Sequence, residues 1–250
     1  MMTQNRPRPR IVSWFSAGVS SAVSVKLQLP EVDDIIYIHI DDQHPDTLRF
    51  IKDCETWFSR PITVLQSPYK SVEVACRMSG GRGYINGPRG AACARFLKKR
   101  VRQIWESENP GPLAYIWGLD SDETDRAGRI IDSMEEVDHI FPLIDRGLSK
   151  SDAHKILRAS GIPRPAMYDL GYNNNNCIGC VKGGRGYWNR IREDFPEVFQ
   201  ARAKMERVIK ATCIKGIYLD ELPANCGRMS LPIVEDCGVL CELLSEDGEV

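Results

Sequence analysis

Short apolar runs at residues 11–15, 35–40, 62–65, 113–117 and 138–143 alternate with stretches of helical texture at about 21–27, 45–58, 93–106 and 125–133. The short runs predict β-strands and the intervening stretches predict helices, and strict alternation of the two predicts a parallel sheet with helices on its faces. In an open parallel sheet, ligands bind beyond the C-terminal ends of the strands. Residues 16–21, 41–44 and 118–126 therefore belong on one rim. From residue 149 the pattern changes to a helix at 151–160, a polar turn at 173–176, a glycine-rich loop, a long helix from about 187 to 212, and an irregular tail rich in Cys. The predicted organisation is a flexible arm (1–10), an α/β domain (11–148) and a C-terminal lobe (149–250) that covers the rim.

Composition narrows the classes. A chain of 250 residues with 42% hydrophobic content buries a full core, as one α/β domain or with a smaller appendage. Lys and Arg number 33 against 34 Asp and Glu, so any attraction to nucleic acid has to come from local patches. The arm carries three Arg and two Pro but no apolar core, and no run of 18 apolar residues occurs; the expectation is a cytoplasmic protein without a membrane contact. Nine Cys in such a compartment read as metal ligands or reactive thiols rather than a disulfide framework.

Local patterns then suggest chemistry. The stretch Ser16, Ala17, Gly18, Val19, Ser20, Ser21 behind the first strand offers backbone N–H groups and a helix N-terminus to an anion. The pentapeptide Gly-Gly-Arg-Gly-Tyr occurs at 80–84 and 183–187, where Arg82 or Arg185 adds a guanidinium fork beside flexible glycines; two matching surface turns are the plainer alternative. Basic residues concentrate in Arg82, Arg89, Arg95, Lys98, Lys99, Arg100 and Arg102, a density that tracks a nucleic-acid backbone or simply solvates a helix. Tyr187 and Trp188 beside Arg185 either stack on a base or belong to the core. Cys54, Cys76 and Cys213 lie in apolar contexts and read as packing residues. His39 reads as a buried strand residue, and His139 and His154 have no evident triad partner.

Several segments in order resemble one family. The loop at 16–21 is similar to the Ser-Gly-Gly-x-Asp-Ser loop of PP-loop ATP pyrophosphatases, His44-Pro45-Asp46-Thr47 resembles a (Phe/His)-Pro-Glu-Thr segment, and Gly118 to Thr124 with Arg126 resembles Gly-x-Arg-x-x-Glu-Ser. Cys93 to Lys98 resembles Cys-x-x-x-Leu-Lys, and Cys177-Ile178-Gly179-Cys180 looks like the Cys-x-x-Cys block of phage and bacterial members. Together these resemble the phosphoadenosine phosphosulfate reductase-like branch of the PP-loop superfamily. The resemblance implies a Rossmann-like, adenine nucleotide alpha hydrolase-like fold with a C-terminal helical, Cys-rich lobe. It also implies cleavage of ATP to AMP and pyrophosphate to activate an acceptor for sulfur transfer, most simply in nucleic-acid sulfuration (DNA phosphorothioation or tRNA thiolation). A cysteine desulfurase would then supply sulfur, with nucleic acid bound directly or through a partner complex.

On this reading Ser16, Ala17, Gly18, Val19, Ser20, Ser21, Gly118 and Arg126 hold the nucleotide, and Asp41, Asp42 and Glu123 face a Mg²⁺-bound phosphate region. The alternatives are a solvated strand end for Asp41 and Asp42 and a helix-cap carboxylate for Glu123. Arg82, Arg95, Lys98 and Arg185 are the substrate-binding candidates. Cys93, Cys177 and Cys180 would hold a [4Fe-4S] cluster or zinc, with Cys226, Cys237 or Cys241 as fourth ligand, or act as free redox or persulfide thiols. The 56 residues between Cys180 and Cys237 exceed the spacing of a compact zinc ribbon. Two departures weigh against sulfonucleotide reduction: Asp120 stands where reductases have Arg, and the tail has Cys237-Gly238 without the following His. The alternatives are a thiol-dependent phosphoadenosine phosphosulfate reductase with Cys237 as nucleophile, and a nucleotide-binding subunit without catalysis.

Overall fold

A computed structural model describes residues 7–79, 81, 83–87 and 90–228. Five strands, β1 (Arg10–Phe15), β2 (Asp34–His39), β3 (Thr63–Gln66), β4 (Leu113–Ile116) and β5 (Asp138–Ile140), form one wholly parallel sheet in the order β3-β2-β1-β4-β5. Trp14 aligns with Ile36 on one side of β1 and Val12 with Tyr115 on the other. The helices of the first half are α1 (Val19–Leu27), α2 (Asp46–Phe58), α3 (Val72–Arg77), α4 (Arg100–Glu108) and α5 (Thr124–Ser133). The second half adds α6 (Lys150–Ala159), α7 (Ala166–Asp169), α8 (Arg185–Asp194) and α9 (Pro196–Ile209). This is the Rossmann-like α/β fold that the alternating pattern predicts.

Period-two alternation divides the sheet's side chains between two cores. Ile11, Phe15, Ile35 and Tyr37 pack with α1, α2 and α6, whereas Val12, Trp14, Ile36 and Tyr115 pack with Trp105 of α4 and Ile130 of α5. A third core, built from α3, α8, α9 and the Cys177–Cys180 segment, lies outside the sheet and includes the fully buried Trp188. Ala153 and Leu157 of α6 belong to the α1 core, so the first helix after residue 149 packs against the helices of the sheet.

Two predicted helices differ in form. The stretch predicted at 93–106 is a π-helix, Ala94–Lys99, that runs into α4. The predicted long helix at 187–212 is two helices, because Pro196 disfavours helical geometry in the residue before it; Phe195 sits at φ −140°, ψ 63°. Arg10 opens β1 and pairs with Asp34 at 2.5 Å, so the predicted arm is already strand at its last residue. Among the described residues no helix is long and apolar enough to cross a membrane. The tail with Cys237 and Cys241 lies outside the described residues.

Candidate functional site

The rim beyond β1 is a tight loop of three residues, Ser16 to Gly18, feeding α1. Ala17 is fully buried with φ +57°, a left-handed conformation that non-glycine residues seldom adopt and that tends to mark functional turns. Ser21 Oγ accepts from the Ser16 N–H (3.2 Å) and Ser16 Oγ from the Gly18 N–H (3.3 Å), which closes the loop on itself. The Val19 N–H donates to the Tyr168 hydroxyl (3.3 Å), leaving the first-turn N–H groups of Ser20 and Ser21 without intrahelical acceptors. Gly118, at the end of β4, presses on this turn: a Cβ there would lie 2.7 Å from Ser21 Cα. The structure thus gathers Ser16, Ala17, Gly18, Val19, Ser20, Ser21 and Gly118 as predicted, with α1 aimed N-terminus first at the rim.

The acidic candidates separate. Asp41 is exposed at the end of β2 and takes a 2.7 Å hydrogen bond from Gln66. Asp42 is different: its carboxylate pairs with buried Arg202 of α9 and accepts the Val72 N–H (2.6 Å) at the start of α3. With both oxygens committed, Asp42 is a structural tie rather than a phosphate-region ligand. Glu123 also departs from expectation, since it accepts the Asp120 N–H (3.1 Å) and pairs with buried Arg126. Asp120 in turn accepts the Asp122 N–H, completing a capping box at the turn before α5. The helix-cap alternative holds for Glu123, and it supplies the reason for Asp at 120: an N-cap carboxylate, not a ligand cation, is what that turn uses. Of the three carboxylates, Asp41 is the one that is exposed at the rim.

The thiol-bearing loop is stitched directly to this rim. Asn175 is buried and donates to the carbonyl of Ala17 (2.9 Å) and to Thr47 Oγ1 (3.2 Å). Three residues on, the Ile178 N–H donates to the carbonyl of Asp42 (2.8 Å), and Arg202 Nε donates to that of Gly179 (3.3 Å). The Tyr187 hydroxyl accepts the Cys180 N–H (2.9 Å) and donates to the Cys177 carbonyl (3.2 Å), closing the turn from below. Burial pushes the Tyr187 phenol well above its ordinary pKa, so it stays a neutral donor and acceptor. Gly179 sits at φ +70° with Val198 2.7 Å from where a Cβ would be, and Gly183 leaves room for the Tyr187 ring. Tyr187 and Trp188 are therefore core residues, not a stacking platform.

Cys177 and Cys180 are buried, whereas Cys93, which precedes the π-helix, is half-exposed at the edge of the same apolar core. Among the described residues no three His, Cys, Asp or Glu side chains are placed to hold a metal ion. The expected cluster or zinc centre of Cys93, Cys177 and Cys180 thus finds no assembled donor set among those residues. The remaining candidate ligand within the described residues, Cys226, donates its S–H to the Pro223 carbonyl (3.2 Å). Cys54, Cys76 and Cys213 are buried packing residues, and burial pushes the Cys76 thiol up to about 12.

The basic segment is not one face. Arg95 and Arg100 are exposed, but Lys98 is only 3% exposed and Arg102 is buried against Glu106 at 2.6 Å. Lys98 therefore lies within the packing of the π-helix instead of facing solvent for a substrate. Arg185 is exposed at the first turn of α8, and Arg82 and Arg89 lie outside the described residues. His39 is half-exposed beside Asp41 at 3.7 Å rather than buried. His139 accepts from Trp117 Nε1 (3.0 Å) and donates to the Met134 carbonyl, which uses both ring nitrogens structurally.

Sequence reasoning missed two residues that shape the site, Tyr168 and Arg202, and the particular ties made by Asn175 and the Tyr187 hydroxyl. Arg202 carried a readable signal. It shares the buried face of α9 with Phe199, Met205 and Ile209, and a cation in an apolar stripe has to find a buried partner.

A parallel sheet with an anion-type turn after its first strand, and a dithiol loop bound to the same rim, places the chain among Rossmann-like α/β proteins. The phosphoadenosine phosphosulfate reductase domain matches residues 10–185, and the chain belongs to that family. Among solved structures it is similar to the phosphoadenylyl-sulfate (PAPS) reductase of Candida auris in its phosphate complex, with 13% identity over 68% of this chain and 80% of that one and a TM-score of 0.45. No curated protein matches the chain.

Proposed function

We propose that this protein is a PP-loop ATP pyrophosphatase that activates an acceptor for sulfur transfer, with nucleic acid as the acceptor. The observation that carries the reading is the direct attachment of the Cys177–Cys180 loop to the anion turn through Asn175 and the Ala17 carbonyl. Nucleotide chemistry and thiol chemistry then share one rigid support. An acceptor oxygen attacks the α-phosphorus of ATP, and the departing pyrophosphate is received by the N–H groups and hydroxyls of Ser20 and Ser21 at the positive end of α1. Mg²⁺ held at Asp41 would offset charge on the phosphates. The terminal sulfur of a cysteine persulfide then displaces AMP from the activated acceptor. A second thiol attacks the sulfur bridge, leaving sulfur on the acceptor and a protein disulfide that an external thiol reduces. Cys93, the more exposed thiol, suits loading by a cysteine desulfurase, while Cys177 and Cys180 suit the resolving role.

Release of pyrophosphate and AMP from ATP in the presence of nucleic acid and a desulfurase tests this, and retention of intact ATP would count against it. A second reading, thiol-dependent reduction of phosphoadenosine phosphosulfate, draws on the family match over residues 10–185. Sulfite formed from that sulfonucleotide with thioredoxin, and no pyrophosphate from ATP, would establish it instead. Nucleotide binding with neither product would mark a non-catalytic subunit.

A further inference from the structure

A cavity of about 420 Å³ opens beside the π-helix, lined by Tyr84, Phe96, Arg95, Ser79, Ala91 and Ala92. None of the residues lining it belongs to the anion turn. Its walls come from the connection between α3 and the π-helix and from the start of the π-helix, which follow edge strand β3, two strands away from β1. The walls are firm: the Tyr84 N–H donates to the Cys76 carbonyl (2.8 Å), its hydroxyl to the Gly90 carbonyl (2.8 Å), and the Phe96 ring sits edge-on to Tyr69 at 5.2 Å. Among the described residues no carboxylate lines the cavity, and exposed Arg95, without an acidic partner among them, holds its guanidinium 5.5 Å from the Phe96 ring centre. Half-exposed Cys93 is the next residue after Ala92.

Two aromatic walls, small residues between them and an exposed guanidinium suit a flat aromatic ring that carries a phosphate. We infer that this cavity receives one unstacked nucleotide of a single-stranded nucleic acid, its base against Tyr84 and Phe96 and its phosphate on Arg95, beside Cys93. The inference rests on the sulfur-transfer reading above and names the part of its acceptor that the protein grips. The volume falls within the roughly 300–1,000 Å³ typical of small-molecule sites, so one nucleotide fits without opening the fold.

The test is photocrosslinking of the full chain to a short single-stranded oligonucleotide carrying bromouracil, with peptide mapping, alongside anisotropy titrations at low salt. The expected result is crosslinks at Tyr84 or Phe96, with affinity lowered about tenfold by Phe96→Leu and by Arg95→Ala. Thermal denaturation of both variants checks that they are folded, and a second variant, Arg95→Lys, should recover part of the affinity through its charge. Crosslinks confined to other surfaces, unchanged affinity in both folded variants, no binding by the wild-type chain, or competition by AMP as effective as by the oligonucleotide would each overturn the pocket. Pyrophosphate release by the wild-type protein, assayed in parallel, separates the two failures: release without a crosslink here removes the pocket and leaves the proposed activity standing.

Discussion

The anion turn and the thiol loop lie on the same rim but are positioned by different physics. The turn is placed by the sheet: β1 runs between β2 and β4, Gly118 closes in from β4, and the loop hydrogen-bonds mainly to itself. The thiol loop has no strand or helix of its own. It is held by the Tyr187 hydroxyl, the Arg202 guanidinium and the main-chain carbonyl of Asp42, and just ahead of it Asn175 ties the segment to the Ala17 carbonyl. A local turn on a rigid sheet tolerates the loss of any one contact better than a loop hung on a few buried hydrogen bonds, because each of those bonds, once broken, strands a desolvated partner.

The largest expected effect follows from the buried Asp42–Arg202 pair. Asp42→Ala leaves a guanidinium without its counter-charge and should destabilise the protein by about 3–5 kcal/mol, read as a shift in denaturant midpoint. Pairing Asp42→Leu with Arg202→Met should recover most of that loss, since two apolar side chains strand no charge. A single variant as stable as wild type would mean that the thiol loop does not depend on this tie.

Tyr187→Phe comes next. It removes the hydroxyl that bridges Cys177 and Cys180 and should cost about 1–3 kcal/mol, the penalty for an orphaned buried N–H. The two thiols should also alkylate faster than in wild type while Cys54 keeps its protection. Equal alkylation rates would show that the loop is held by packing alone, and the contrast with the anion turn would lose its basis.

At the turn itself, Ser20→Ala with Ser21→Ala should weaken ATP binding or turnover at least tenfold, about 1.4 kcal/mol at the transition state, beyond any loss of stability from freeing the Ser16 N–H. Isothermal titration with ATP and a pyrophosphate assay measure the two parts. Unchanged values in both would remove the nucleotide assignment from this loop and leave it a structural turn.

The same contrast explains what could be read from the sequence. All five strands were legible because each is a short apolar run, and the anion turn followed from its place behind the first of them. The role of Asp42 was not, because a carboxylate beside a strand end looks the same whether it faces a metal or a buried Arg some 160 residues away, whereas the cap role of Glu123 was one of the two readings that its place before a helix offered. Helix α3 escaped notice because six residues give barely two turns of periodicity, and the break at Phe195 was legible from Pro196 but was overridden by the helical texture on both sides. Ala153 and Leu157 pack α6 into the α1 core, a contact that the change of texture at residue 149 does not reveal.

The smallest expected effect concerns pH and belongs to the anion-turn side. The His154 ring sits edge-on to Tyr168 at 4.9 Å, and the Tyr168 hydroxyl accepts the Val19 N–H, so this imidazole stands behind the residue that braces the turn. Burial first, and then Arg164, Lys150 and Arg158, pull its pKa down to about 4 from an ordinary value near 6.5. Between those two values the unfolded chain takes up a proton that the native protein refuses. Stability from this group is therefore complete above about pH 6.5 and is lost progressively as pH falls towards 4. Because His154 is only half-buried, solvent screening holds the effect well below what the full shift would give. Denaturant midpoints should fall more steeply from pH 7 to pH 5 in wild type than in His154→Phe, and the imidazole signals should stay those of the neutral ring at pH 5. A ring that titrates near 6.5 would show that neither burial nor the surrounding cations perturb it, and would remove His154 from the acid sensitivity of the fold.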